Sequence, residues 1–217
     1  MRTLTELLED RPQSLGEEIA NSISHGVGAI ASLGGAAVLI VAAARKGDPL
    51  MDAGVSIFAA SMVLLYLTSM IYHFLPQGRA KRLFLIFDHI AIFLLIAGTY
   101  TPFALGVLRG GRGWGFLGLI WLVGLFGIIT KLIPKLRYSK LSLILYLIMG
   151  WLAVLVIRPL YQNLPFHGFL WLVAGGLAYT GGVIFYVARP RYSHFVWHLF
   201  TMAGTTCHFF AILWYAI

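Results

Sequence analysis

Long apolar stretches separated by short polar breaks dominate the pattern of hydrophobic and polar positions along this chain. Because a helix needs about 20 mainly apolar residues to cross a bilayer, the pattern predicts seven transmembrane helices. Their expected ranges are 19–44, 51–75, 83–108, 114–132, 141–157, 168–188 and 192–217. We therefore expect an all-α, polytopic membrane protein in which residues 1–217 form one seven-helix domain and residues 1–18 form a cytoplasmic N-terminal segment.

The breaks between these stretches carry residues that end or start helices. Glycine and proline, which favour turns, occur at 47–49, 76–78 and 109–111. Ser14 followed by Glu17 fits a capping box, so we expect the first helix to begin there. Pro102 is expected to kink the third helix or to mark where it unwinds. Four glycines of the sixth helix would let a neighbouring helix pack closely, namely Gly175, Gly176, Gly181 and Gly182.

Composition agrees with a membrane protein and argues against a nucleic-acid partner. Hydrophobic residues make up 59% of the chain and charged residues only 11%, whereas soluble domains carry about 25% charged residues. The net charge is +8, but the basic residues lie in short clusters between apolar runs and form neither a patch nor an amphipathic stripe. We therefore expect the lipid bilayer, and not nucleic acid, as the partner.

The distribution of lysine and arginine predicts the orientation of the chain. Eleven basic residues lie on the side of the N-terminus and the second, fourth and sixth loops: Arg2, Arg11, Arg79, Lys81, Arg82, Lys131, Lys135, Arg137, Lys140, Arg189 and Arg191. Five lie on the other side: Arg45, Lys46, Arg109, Arg112 and Arg158. Because cytoplasmic loops carry an excess of basic residues, the N-terminus is expected in the cytoplasm and the C-terminus outside.

One acidic residue within the apolar stretches stands out as a candidate for chemistry. Asp88, early in the third helix, is the only acidic residue between 53 and 217. A carboxylate in hydrocarbon is costly, so Asp88 should have a partner and a purpose. The alternative is a solvated interfacial residue paired with Arg82. Because Cys207 is the only cysteine, a thiolate zinc cluster is excluded, and any metal site must use histidine and carboxylate.

Two short motifs place histidines at helical spacing. His194 and His198 open the seventh helix four residues apart, so both lie on one helical face, although such pairs also merely pack or hydrogen-bond. Ser69 and His73 end the second helix with the same spacing. As alternatives, the serine could bond to its own helix backbone, and His73 could sit in the headgroup region.

The predicted topology brings these residues to one depth. The second helix ends at the cytoplasmic side, and the third and seventh helices begin there. At about 1.5 Å of rise per residue, Asp88 lies roughly 9 Å into its helix, and His194 and His198 lie roughly 5 and 10 Å into theirs. Together with His73, they fall in one layer of the inner leaflet, which predicts a metal site.

The ligand types indicate zinc as the ion. Three neutral imidazoles with an open fourth position suit Zn²⁺ in a catalytic arrangement with water as the fourth ligand. Asp88 could bind the metal directly, or it could hold the water and act as general base and proton shuttle. Ser69 could hydrogen-bond a substrate carbonyl or orient the water.

The remaining histidines fit the predicted site less well. His25 is a candidate for an alternative ligand or for a group that supports a ligand from outside. His89 points roughly 100° away from the preceding aspartate around the helix, toward a different neighbour. His208 lies about 15 Å beyond the histidine pair and cannot share the same ion. His167 is expected in an outer loop at the surface.

Six segments, in this order and spacing, carry a resemblance that covers nearly the whole chain. They are EEIANSISHG at 17–26, SMIYH at 69–73, FDHIAIF at 87–93, AGTYTPF at 97–103, HFVWH at 194–198 and TCHF at 206–209. On these segments the chain resembles the hemolysin III family, within the progestin and adipoQ receptor superfamily.

The resemblance implies a seven-helix fold with a cytoplasmic N-terminus and zinc held by three histidines, here His73, His194 and His198. It also implies that Asp88 holds the zinc water and that Ser69 belongs to the same site. The related adiponectin receptors and alkaline ceramidases are linked to hydrolysis of lipid amides, ceramide in particular. Bacterial members are named for hemolytic activity and are connected with membrane lipid homeostasis, which implies a multi-pass protein of a bacterial cell (inner) membrane.

Three functional hypotheses follow from these observations. The leading one is a zinc-dependent intramembrane hydrolase whose substrate is a lipid amide or ester. The second is a receptor-like or regulatory protein in which zinc is structural and ties the second helix to the seventh. The third is a hemolysin or cytolysin that forms a pore, against which the compact bundle without a polar pore-lining stripe argues.

Overall fold

The computed structural model of the chain describes residues 12–137 and 141–217. All regular structure in these ranges is helical, and its α-helices are α1 (Leu15–Ala44), α2 (Pro49–Phe74), α3 (Arg79–Pro102), α4 (Gly110–Leu132), α5 (Leu141–Trp151), α6 (Ile157–Asn163), α7 (Phe166–Tyr186) and α8 (Ser193–Ala211). Seven segments are long and apolar enough to cross a membrane, since α5 and α6 join into one span. The all-α fold and the seven spans predicted from the hydrophobic pattern are confirmed.

Helix starts follow the capping signals in the sequence. At the start of α1, the backbone N–H of Glu17 donates to the Ser14 hydroxyl at 3.4 Å, and the backbone N–H of Ser14 donates to the Glu17 carboxylate at 2.9 Å. Asp48 caps α2 by accepting the backbone N–H of Leu50 at 3.1 Å. Pro49 takes the first helical position, where a missing N–H costs no hydrogen bond. The capping box predicted at Ser14 is therefore confirmed.

The fifth span is longer than the predicted range 141–157. After α5 the backbone tightens into a 3₁₀ segment, Leu152–Val156, and then continues as α6. The apolar run is interrupted at Arg158 and Pro159, which made the helix look complete at that point. Pro159 lies in the first turn of α6, where its missing N–H leaves no intrahelical bond unmade. The span therefore reaches Asn163.

Tyr100 of α3 bridges the irregular part of the fifth span. Its hydroxyl donates to the backbone carbonyl of Gly150 at 2.5 Å and accepts the backbone N–H of Ala153 at 3.2 Å. Both backbone groups lie where the α-helical pattern changes, so one phenol supplies partners that the helix no longer provides. The third span also changes pattern, since the π-helical turn Phe103–Val107 follows Pro102 directly. The chain therefore does not unwind at Pro102 but continues as a π-helical turn, and the kink expected there stays a prediction.

The spans form a ring in which the first and last are neighbours. Helix α1 packs on α2, α2 on α3, α3 on α5, α7 on α8, and α8 returns to α1, while α4 lies outside against α3 and α5. Large apolar side chains point away from the bundle, such as Ile30 at 75% exposure and Leu122 at 70%. Such an outer surface fits hydrocarbon, which cannot satisfy polar groups.

Two of the four glycines singled out in α7 allow close packing against α8. A Cβ atom at Gly175 would meet the His208 ring at 2.4 Å, and one at Gly182 would meet an α8 side chain at 2.7 Å. At Gly176 nothing lies within 4 Å, and at Gly181 the nearest atom is at an ordinary 3.6 Å. Close packing is therefore confirmed at Gly175 and Gly182 only.

The orientation of the chain stays a prediction, but the positions of several counted charges are now known. Lys81 and Lys131 are buried, and each donates to a backbone carbonyl of the adjoining connection, Leu75 and Arg137 respectively. Arg158 lies inside the fifth span. Residues 1–11 of the expected N-terminal segment lie outside the described residues, as do three counted charges, Arg2, Arg11 and Lys140.

We expect Gly127→Ala to destabilise the protein, since a Cβ atom there would lie 2.2 Å from the ring of the fully buried Phe93. Overpacking of this kind costs about 1–3 kcal/mol, which should lower the thermal midpoint measured in detergent. Gly118→Ala in the same helix is the control. Nothing lies within 4 Å of Gly118, so its midpoint should stay equal or rise. Equal midpoints for both variants would contradict the packing of α4 on α3.

Candidate metal centre

Three histidines meet where α2 ends and α8 begins. His73 lies in the last turn of α2, and His194 and His198 lie in the first two turns of α8. One ligand atom from each ring lies within 4.8 Å of those of the other two rings. His73 and His198 are buried, and His194 is half-buried. The structure thus brings three of the four residues that the depth comparison placed in one layer into a group that could hold a metal ion.

The ring of His73 is held by a carboxylate from α1. Its Nδ1 lies 2.7 Å from Oε2 of Glu18. Because a carboxylate only accepts, Nδ1 carries the hydrogen, and Nε2 keeps its lone pair. This Nε2 is buried and has no hydrogen-bond partner. A buried unpaired acceptor is costly, and a cation would relieve that cost.

The ring of His198 is oriented in the same way by Ser24. The Ser24 Oγ lies 3.0 Å from Nδ1 of His198, and its hydroxyl donates to the backbone carbonyl of Asn21 at 2.8 Å. Since the serine hydrogen is already used, its oxygen accepts from the Nδ1–H of His198. The lone pair of His198 is therefore also on Nε2. Neutral imidazole nitrogens are common zinc donors, so the residues present fit such an ion.

Asp88 and Ser69 lie beside the histidine cluster. Asp88 is only 9% exposed, so the alternative of a solvated interfacial residue is wrong. Ser69 is also buried, and its hydroxyl interacts with the Asp88 carboxylate. Among the described residues, the group of converging ligand atoms contains the three histidines and no carboxylate. Asp88 is therefore a neighbour of that group and stands outside it.

A cavity of about 230 Å³ is lined in part by His194 and His198 of this cluster. Its polar end is formed by Ser69, Asp88, His194 and His198, together with His25. Most of the remaining surface is apolar, and it comes mainly from α3, α5, α6, α7 and α8. Asp88 and Phe103 of the third span both line it, which corresponds to a length on the order of 20 Å along that span. The cavity therefore joins a polar end to a long apolar interior.

His25 is a packing partner of a candidate ligand. Its ring is stacked on that of His198, with centroids 3.5 Å apart and planes at 7°. Neither of its nitrogens has a hydrogen-bond partner among the described residues. It lies outside the group of converging ligand atoms, so its geometry favours support of His198 over direct ligation.

The other histidines lie apart from the cluster. Nε2 of His208 is 3.2 Å from the backbone carbonyl of Leu172 in α7, in keeping with the prediction that His208 cannot share the ion. His89 is half-buried, lies near Lys131 of α4 and also lines the cavity. His167 is exposed as expected, but it belongs to the first turn of α7.

Two carboxylates of α1 that lie at or near the site were not among the residues predicted for it. Glu17 and Glu18 looked like part of an aqueous N-terminal segment, yet both reach into the bundle. Glu17 accepts the backbone N–H of Tyr192 at 2.9 Å, directly before α8. Glu18 contacts His73 and also lies 3.0 Å from Nζ of Lys81. The available signal was their place in the segment 17–26, which carries part of the resemblance.

Fold and site together define a multi-pass helical membrane protein with a buried three-histidine cluster at one end of an internal cavity. The profile of the Haemolysin-III related family matches residues 13–209, and the chain belongs to this family. It is 43% identical over 215 residues to Hemolysin-3 of Bacillus cereus, covering 99% of this chain and 98% of that protein. It is 40% identical over 205 residues to the Hemolysin-3 homolog of Bacillus subtilis (strain 168), covering 94% and 96%. No solved structure matches the chain significantly.

We expect the purified protein to hold about one zinc ion per chain and His73→Ala to lose it, because that change removes one of three converging nitrogens. Elemental analysis of detergent-purified protein measures this directly. His208→Ala is the matched control, since His208 is a buried histidine of α8 outside the cluster. Wild-type metal content in His73→Ala, or loss in His208→Ala, would contradict the assignment.

Proposed function

We propose that this chain is a zinc-dependent intramembrane hydrolase of lipid amides or esters. We further propose that it forms a single domain in a bacterial cell membrane and acts in membrane lipid homeostasis. The observation that carries the proposal is that two histidines of the cluster, His194 and His198, line one cavity together with Asp88 and Ser69. A site for hydrolysing lipids needs a reactive polar end joined to an apolar space, and this cavity has both.

The arrangement of donors supports a catalytic ion over a structural one. His73 and His198 would hold zinc through Nε2, with His194 as the third ligand. Structural zinc sites are closed by four protein ligands, whereas catalytic sites have three and keep one position open. When bound, zinc supplies Lewis-acid chemistry and makes water a nucleophile at neutral pH.

Asp88 is the proposed general base. One oxygen of its carboxylate takes a proton from the attacking water as the water oxygen bonds to the substrate carbonyl carbon. Asp88 then passes that proton to the leaving nitrogen or oxygen as the C–N or C–O bond breaks. The products are a fatty acid and an amine or alcohol. Ser69, which lines the cavity together with Asp88, would hold the carboxylate in position by donating its hydroxyl hydrogen to it.

The apolar part of the cavity is the proposed acyl-chain site. Its walls cannot hydrogen-bond to a headgroup, so they favour a hydrocarbon chain, while the carbonyl lies at the polar end. Helices α5 and α7 both line the cavity but touch each other little. This thin part of the wall is the proposed route by which a lipid enters from the bilayer.

We expect Asp88→Asn to lower hydrolysis by about 10²–10⁴-fold, the usual contribution of a general base, while bound zinc is largely kept. The measurement is fatty-acid release from a panel of lipid amides and esters, followed by mass spectrometry. Asp52→Asn is the matched control, because Asp52 lies in the first turn of α2, at the opposite end of that helix from His73. Undiminished turnover in Asp88→Asn would sink the proposed role.

A receptor-like or regulatory protein is the second candidate, because the three histidines join α2 to α8 and a structural metal could do so too. The same experiments separate the two functions. If zinc is structural, its removal lowers the thermal midpoint, and no lipid product forms in wild-type protein.

The names of the two Bacillus relatives make lysis the third candidate. We expect liposomes reconstituted with the pure protein to retain an entrapped dye as well as protein-free liposomes do. The reason is that the surface of the cavity is mostly apolar, which does not favour the passage of water and ions. Dye leakage that rises with protein content would overturn the hydrolase proposal in favour of a pore.

A further inference from the structure

Glu18 joins three helices through its two carboxylate oxygens. Oε2 lies 2.7 Å from Nδ1 of His73 in α2, and Oε1 lies 3.0 Å from Nζ of Lys81 in α3. All three side chains are largely shielded from solvent, so water and salt screen these contacts weakly. Because each oxygen contacts a different donor, the two contacts together fix the orientation of the carboxylate.

Lys81 is itself anchored at the end of α2. Its Nζ donates to the backbone carbonyls of Tyr72 at 2.9 Å and Leu75 at 3.1 Å, and it lies 4.6 Å from the centre of the Tyr72 ring. The last carbonyls of a helix lack partners within the helix, so the ammonium group caps this end. The two carbonyls flank His73 in sequence, so Lys81 is attached to the turn that carries a candidate ligand.

We propose that Glu18 positions His73 for zinc and that Lys81 acts through Glu18, so that this chain of three side chains sets the affinity of the site for the metal. The inference rests on the zinc site of the proposed function and adds two residues to it. A histidine that binds a metal through one nitrogen commonly donates its other N–H to a carboxylate, which fixes the tautomer and the direction of the ring. Glu18 is placed to do so for His73.

A purely structural role for Glu18 would have a different signature. Ser22, one turn further along α1, also links α1 to α2, since its hydroxyl donates to the backbone carbonyl of Met70 at 3.2 Å. That bond touches no candidate ligand. If Glu18 merely held the two helices together, its loss and the loss of the Ser22 bond would affect stability alike and leave metal affinity unchanged.

The test is zinc affinity of the full chain in detergent, measured by competition with a chelator. Glu18→Ala should weaken affinity by about 10–100-fold, the usual effect of removing such a supporting group. Glu18→Gln, which keeps a neutral acceptor of the same size, should weaken it less. Ser22→Ala is the matched control and should bind zinc like wild type.

Lys81→Met tests the second half of the proposal. It should weaken zinc binding in the wild-type background and have no further effect in Glu18→Ala, because Lys81 acts through the missing carboxylate. Independent, additive effects of the two changes would overturn the linkage. Thermal midpoints of the zinc-free variants show whether each variant is folded. If Glu18→Ala does not fold, the zinc affinity of Glu18→Gln is compared with that of wild type instead.

The result in wild type separates this inference from the proposed function. Wild type without zinc affinity would overturn both. Wild type that binds zinc and hydrolyses lipid, together with Glu18→Ala of unchanged affinity, would overturn only the positioning role of Glu18.

Discussion

Polar groups placed inside a membrane bundle must find their hydrogen bonds within the protein, since hydrocarbon offers none. In the histidine cluster, helix α1 provides the hydrogen-bond partners. Helix α1 supplies acceptors for the Nδ1–H groups of two rings, Glu18 for His73 and Ser24 for His198. What remains for a metal is one nitrogen of each ring, and such atoms of the three histidines lie within 4.8 Å of one another. The same contacts that lower the cost of burying the rings therefore also determine which nitrogen each ring presents.

The rest of the bundle uses polar contacts in the same manner. The Thr205 hydroxyl oxygen lies 2.7 Å from the Tyr66 hydroxyl and 2.6 Å from that of Tyr179, and it donates to the backbone of Thr201 at 3.0 Å. One threonine thereby joins α8 to α2 and α7. Since lipid chains are as apolar as leucine, helix association in a bilayer depends on such bonds and on close packing more than on hydrophobic burial.

The spans and the cluster could be anticipated because both depend on position along the helix axis. Apolar length gives the spans, and depth from the membrane surface places His73, His194 and His198 together. The supporting residues could not be anticipated, because depth says nothing about which way a side chain points. Glu18 and Lys81 occur near helix ends, where charged residues usually face water. Their inward contacts depend on neighbours that the chain brings from far away, such as His73, 55 residues from Glu18.

The neighbouring positions of α1 and α8 have a consequence for biogenesis. Ser24 and His198 are in contact although 174 residues separate them. During synthesis α1 enters the bilayer first, and α8 cannot reach it until nearly the whole chain has been translated. Until then the inward face of α1, including Glu18, lacks some of its final neighbours. The polar contacts between α1 and α8 therefore form only after the intervening spans have been made, so the order of synthesis leaves the metal site among the last features of the fold to be completed.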